Sequence, residues 1–160
     1  MEFKGEYYLV LEALAKGGKT AEEVARSVDM PPHDVEAVLN TLMAHGLVEA
    51  RERGLILRRT AYYLTERGWE VLYKWRGEVK ERLEKAAHLR KAGEDQRADE
   101  VLAPVEPILP ALLAMGLLDL WLYSAALGEG YPAIADEVTG EGAEAGGESG
   151  WESWGSDEEF

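Results

Sequence analysis

The amino-acid sequence predicts a mainly α-helical fold with one small β-hairpin, a helical extension after it and an acidic tail. Three observations predict this. Apolar residues recur at spacings of three and four in separate stretches before residue 93, the pattern of amphipathic helices. Within that region, residues 47–64 abandon the helical period for β-branched, aromatic and large aliphatic side chains around a glycine, the composition of a hairpin. From Gly128 onward the chain is rich in Gly and Glu without any period, and a segment of that kind cannot bury enough apolar surface to order itself.

Phe3, Tyr7, Val10, Leu11 and Leu14 lie on one face of a first helix, which Gly17 and Gly18 end. Thr20 opens the next helix. Its hydroxyl is placed to cap the third helical amide, while Glu23 reaches back to the Thr20 amide. This helix runs through Val28, with Val24, Ala25 and Val28 as its buried stripe, and Asp29 and Met30 make the turn. Pro31 and Pro32 have no amide to donate, so they fit the first turn of a third helix over residues 32–45. There Val35, Val38, Leu39, Leu42 and Met43 face inward, and His33, Asp34, Glu36, Ala37, Asn40, Thr41 and Ala44 face out. Gly46 ends it. Residues 47–52 form a strand, Arg53 and Gly54 the turn, and residues 55–64 the return strand. Thr65 caps a long helix to about Ala92, in which Leu72, Trp75, Val79, Leu83, Ala86 and Leu89 recur as one stripe. A short helix to Ala103 follows a break at residues 93–95. Pro104, Pro107 and Pro110 then interrupt regular helix. Pro110 opens a final helix over residues 111–127, apolar on nearly every side, with Asp119 as its only charge. These elements divide the chain into residues 1–69, residues 70–127 and a tail of residues 128–160, mostly disordered from about residue 136.

The composition narrows the class of protein. There is no cysteine among the 160 residues, so disulfides and thiolate metal sites are excluded. Met1 is followed by charged Glu2, Lys4 and Glu6, which predicts no export and a cytoplasmic location. Asn40 and Gln96 are the only side-chain amides, a balance expected of a thermophile. The net charge of −14 argues against a polyanionic partner until its distribution is considered. Residues 128–160 hold ten acids and no Lys or Arg. Residues 1–127 hold 21 acids against all 17 Lys and Arg, a net charge of only −4.

Four strings together resemble the winged helix-turn-helix transcriptional regulators of the MarR and PadR type. They are Thr20-Ala-Glu-Glu-Val-Ala, the turn Val28-Asp-Met-Pro-Pro, Leu42-Met-Ala-His-Gly-Leu-Val-Glu, and Tyr62-Tyr-Leu-Thr-Glu-Arg-Gly-Trp-Glu-Val-Leu. The last two are the more specific in combination, and the resemblance covers about the first 75 residues. It implies a DNA-binding homodimer whose third helix enters the major groove. The exposed residues of that helix would then include the base readers, His33, Asn40 and Thr41 among them, although Asp34 and Glu36 would meet a polyanion with repulsion. The wing carries the opposite charge. Arg51, Arg53, Arg58 and Arg59 fall within nine residues, where they suit phosphates or the minor groove, or else keep an exposed hairpin soluble.

The helices after the wing admit three readings. Leu72, Trp75, Val79 and Leu83, with Leu112, Leu113, Leu117, Leu120 and Trp121, form a dimerisation surface, because an all-round apolar helix needs cover on several faces. Alternatively the final helix completes a monomeric core. As a membrane span it would be short, about 25 Å against a hydrocarbon core of roughly 30 Å, with Asp119 near its middle. The tail, with Trp151, Trp154 and Phe160 among its acids, is either a solvating segment or a docking site for a protein partner. That partner reading defines an alternative function, a non-catalytic adaptor for transcription or replication machinery. The three histidines have no metal-ligand spacing, and no nucleophile motif or phosphate-binding glycine loop is present, so neither catalysis, metal nor cofactor is expected.

Overall fold

The computed structural model describes residues 1–128, and buried side chains from the first helix to the last form one continuous core. Helix α1 (Gly5–Ala15) lies at its centre, with every residue from Tyr8 to Leu14 buried. A two-residue strand β1 (Lys19–Thr20) leads into α2 (Ala21–Val28). The capping box forms as the sequence predicts: the Glu23 amide donates to Thr20 Oγ1 at 3.2 Å, and the Thr20 amide donates to Glu23 Oε1 at 2.9 Å. Asp29 ends α2 in the left-handed region, with φ 55°, a conformation that Asp tolerates better than most residues. Pro31 and Pro32 then start α3 (Pro32–Ala44), which buries Val35, Val38, Leu39 and Leu42 and leaves Met43 half-buried.

The hairpin consists of β2 (Val48–Arg53) and β3 (Arg59–Leu64), paired from Val48 opposite Leu64 to Arg53 opposite Arg59. Its turn is therefore not Arg53-Gly54, and the return strand does not begin at Leu55. Val48 and Leu64 both pack into the core and set the register, which leaves residues 54–58 as an unpaired tip. The sheet also has a third strand that the sequence reading missed. β1 pairs with β3, so the order is β1-β3-β2 and β3 is central. Two residues carry no period from which a strand can be read.

Helix α4 (Glu66–Lys91) starts at the Thr65 cap, and the close of the wing is built into that junction. Thr65 Oγ1 accepts from the Gly68 amide at 3.1 Å and donates to the Gly46 carbonyl at 2.6 Å. A Cβ on Gly68 would stand 2.1 Å from the Leu47 carbonyl oxygen. The glycine in the Tyr-x-Leu-Thr-x-x-Gly string is thus a point of close backbone approach. The long stripe of α4 is buried throughout, from Leu72 to Leu89, against α1 and the helices that follow.

Those helices are α5 (Asp95–Leu102), a 3₁₀ turn (Glu106–Ile108), α6 (Leu109–Ala114) and α7 (Leu120–Leu127). The predicted single apolar helix over residues 111–127 is two helices. Gly116 at φ 74° ends the first, and Asp119 is the N-cap of the second, accepting from the Trp121 amide at 2.8 Å. What read as a lone charge in an apolar helix is a capping residue. No helix among the described residues is long and apolar enough to cross a membrane. Arginines of α4 hold α5 and α7 in place. Arg90 donates to the Ala126 carbonyl at 2.9 Å and pairs with Asp99, and Arg82 donates to the Val101 carbonyl at 2.9 Å.

One polar cluster is sunk in this core. Glu12, 2% exposed, accepts from Tyr8 Oη at 2.6 Å and receives both arms of Arg76, at 2.9 and 2.7 Å. Burial, and then the adjacent carboxylate, push the Tyr8 hydroxyl up. The Glu12 hydrogen bond raises Arg76. Removing one side of such a pair strands the other. Arg76→Ala should therefore lower stability by about 3 kcal/mol. Combined Glu12→Leu and Arg76→Leu should cost much less than the two single changes added together, as read by thermal unfolding in a double-mutant cycle.

Candidate nucleic-acid interface

Two elements place the predicted contact residues: the outer face of α3 and the wing. On α3, His33, Asp34, Glu36, Ala37 and Asn40 are exposed and Thr41 is half-buried, as the helical period requires. Their chemistry is partly committed. His33 Nε2 lies 3.0 Å from Asp34 Oδ1. The Thr41 hydroxyl donates to the Ala37 carbonyl at 3.1 Å, which leaves its oxygen as an acceptor. Asn40 is exposed and makes no side-chain hydrogen bond among the described residues, so its amide keeps both donor and acceptor.

The four wing arginines do not form one equivalent set. Arg53 is a brace: its guanidinium donates to the Gly18 carbonyl at 3.1 Å and pairs with Glu23 Oε1 at 2.7 Å, joining the wing to the start of α2. Arg51 pairs with Glu49 and lies over the Tyr63 ring, 4.8 Å from its centroid. Arg58 pairs with Glu52 at 3.2 Å. Both pairs are solvent-exposed, and pairs of that kind are worth about 0–1 kcal/mol, so a phosphate can displace the carboxylate cheaply. Arg59 is exposed and has no ion pair among the described residues. Together with Glu36 of α3, Thr20, Glu22, Thr60 and Tyr62, it lines an open cleft of about 540 Å³ between the wing and the two helices.

The exposed tip of the wing is not legible from the sequence. Gly54 takes φ 105°, and a Cβ there would stand 2.4 Å from the Leu57 carbonyl oxygen, so the tip needs glycine at this point. Leu55, Ile56 and Leu57 follow it at 98%, 94% and 74% exposure. The run Leu-Ile-Leu reads from sequence as the start of the return strand. Only the register reveals that it lies outside the sheet.

Of the predicted dimerisation residues, Leu72, Trp75, Val79, Leu83 and Leu112 are buried by the chain's own helices. Leu113 and Leu117 are half-buried, while Leu120 and Trp121 are 45% and 56% exposed. Trp151, Trp154 and Phe160 lie outside the described residues, as does the tail read as disordered. No group of three His, Asp or Glu side chains among the described residues is placed to hold a metal ion.

The sheet and the helix-turn-helix together define a winged helix-turn-helix, the fold that the sequence predicts. The helix-turn-helix family model described as "Cmi2, C-terminal" matches residues 6–55, from α1 to the wing tip. No curated protein matches the chain. Solved structures similar to it include a PadR family transcription regulator from Clostridium difficile, at 20% identity and a TM-score of 0.43, covering 45% of this chain and 83% of that one. A MarR family regulator from Neisseria meningitidis has 25% identity and a TM-score of 0.36, covering 68% and 67%. Bacillus subtilis PadR in complex with operator DNA has 16% identity and a TM-score of 0.40, covering 76% and 97%.

The Arg53–Glu23 brace gives the site a pH dependence. The Thr20 amide and then Arg53 hold the Glu23 carboxyl down at about 2, below its ordinary 4.5. A depressed carboxyl stabilises the fold above its unfolded value and loses that contribution as pH falls through the folded one. The contribution of Glu23 to the α2 cap and to the Arg53 brace should therefore be complete above about pH 4.5 and be lost as pH falls from there to about 2. Carboxyl chemical shifts through an acid titration should show this, and Glu23→Gln should abolish that step.

Proposed function

We propose that this chain is a double-stranded-DNA-binding protein, acting as a homodimer in transcriptional regulation. The observation that carries the proposal is the pairing of an exposed α3 face with a wing whose exposed cations are only weakly committed. In this reading α3 approaches the major groove. Asn40 pairs with a base edge, Thr41 accepts from one, and His33 contacts the backbone or a base. Arg51 and Arg58 exchange surface carboxylates for phosphates, Arg59 adds a cation that makes no ion pair among the described residues, and Arg53 keeps its bracing role. Affinity then comes mainly from the wing, because α3 contributes Asp34 and Glu36 but no Lys or Arg to the groove.

Self-association in this reading uses the surface that remains on α6, α7 and the turn between them. Leu113, Leu117, Leu120 and Trp121 lie there. The acids on α3 favour a second reading, in which the winged helix and the acidic aromatic tail dock on a protein of the transcription or replication machinery. The two readings separate in one experiment, because the tail opposes a polyanion but serves a protein partner.

Fluorescence anisotropy of a mixed-sequence duplex should show binding at low salt that weakens steeply as salt rises. Arg58→Ala and Arg59→Ala should each reduce the slope of log affinity against log salt by about 1. Deleting residues 129–160 should tighten binding, and failure of both the full and the shortened chain to bind at low salt would sink the proposal. Sedimentation should give a dimer that Leu120→Glu converts to monomer.

A further inference from the structure

The apolar wing tip is unexplained by phosphate contact. Leu55, Ile56 and Leu57 are three consecutive large aliphatic residues at 98%, 94% and 74% exposure. They project beyond the last paired rung, Arg53 opposite Arg59, on a turn that Gly54 holds in a conformation other residues adopt only with strain. Solubility does not call for them, since an exposed hairpin is blunted by charge and not by leucine. Arg58 and Arg59 follow them directly in the chain, and Arg51 lies two residues before the last rung. The pattern is an apolar point flanked by cations, two of them in exposed pairs with Glu49 and Glu52 and the third, Arg59, without an ion pair among the described residues.

The geometry points to the tip as a minor-groove wedge: Leu55, Ile56 and Leu57 insert between base steps of duplex DNA while Arg51, Arg58 and Arg59 hold the flanking phosphates. A duplex has the complementary layout, with anionic rails on the outside and stacked apolar faces a few ångströms within. Apolar side chains driven into the minor groove partly unstack a step and kink the helix by about 20–90°. Pyrimidine–purine steps yield most easily, so preference for sites containing them arises without a base-specific hydrogen bond. This suits a protein whose α3 offers few base-reading groups. An anionic membrane has a related layout, but Asn40 and Thr41 on α3 of the same helix-turn-helix offer an amide and a hydroxyl that match base edges and have no counterpart in a bilayer.

The wedge rests on the DNA-binding reading above, and one experiment distinguishes the two. The full chain is titrated into a duplex carrying 2-aminopurine at a central TA step, with a donor and an acceptor dye on its ends. The same titration is run with a variant combining Leu55→Ser, Ile56→Ser and Leu57→Ser, which removes no core contact, and with Ile56→Phe, which keeps an apolar point. Unstacking should raise the 2-aminopurine signal and shorten the end-to-end distance for the native chain and for Ile56→Phe. The serine variant should still bind at low salt but do neither. Binding by all three chains with no change in 2-aminopurine overturns the wedge and leaves DNA binding intact. Absence of binding by any of them overturns both. Loss of unstacking together with tip-dependent sedimentation on phosphatidylserine vesicles overturns the wedge in favour of a membrane.

Discussion

A buried carboxylate joins the two halves of this fold. Glu12 points into the core from α1, where a charge is tolerated only if it is fully paired. Arg76 supplies a two-armed cation from α4, and Tyr8 supplies a hydroxyl from the preceding turn of α1. The pairing sets how α4 crosses α1. Phe3 packs edge-on against Trp75 beside it, 5.3 Å between ring centroids, and extends the same contact with apolar surface. Since α4 begins where the wing ends, the angle it takes also anchors the base of the hairpin through Thr65 and Gly68. A network of this kind adds little net stability compared with apolar residues of the same shape, but it is specific about geometry.

The wing shows how one residue type divides into different roles by position. Arg53 is held at both ends of its guanidinium and acts as a strut to α2. Arg51 and Arg58 sit in exposed pairs that water and salt weaken, and Arg59 looks onto the cleft beside α3. Counting arginines by sequence treats all four alike. Their availability to an anion depends on what each one already touches, and that is set by strand register and by the placement of Glu23, thirty residues away in the chain.

The C-terminal helices illustrate a related division. The stripe from Leu72 to Leu89 and the apolar residues from Leu109 onward were legible as surfaces needing cover. Whether the cover comes from the same chain or another is a question of three-dimensional packing. Here α5 and α7 fold back on α4, and Arg82 and Arg90 tie them down by donating to backbone carbonyls. The side chains left at the surface are fewer and lie later in the chain, around Leu120 and Trp121.

The sequence by itself determined the helix-turn-helix, the wing and their order, because these depend on local chemistry. Thr20 with Glu23, the proline pair after Asp29, the Thr65 cap and the helical period each act within a few residues of themselves. The exposed face of α3 was legible for the same reason. Only the tertiary structure decided the register of the hairpin, the third strand, the split at Gly116 and the role of each arginine. Those depend on partners distant in sequence: Val48 with Leu64, Lys19 with Tyr62, Glu23 with Arg53, Glu12 with Arg76. The apolar wing tip belongs to this second group, since Leu55, Ile56 and Leu57 read as strand until long-range pairing leaves them unpaired in solvent.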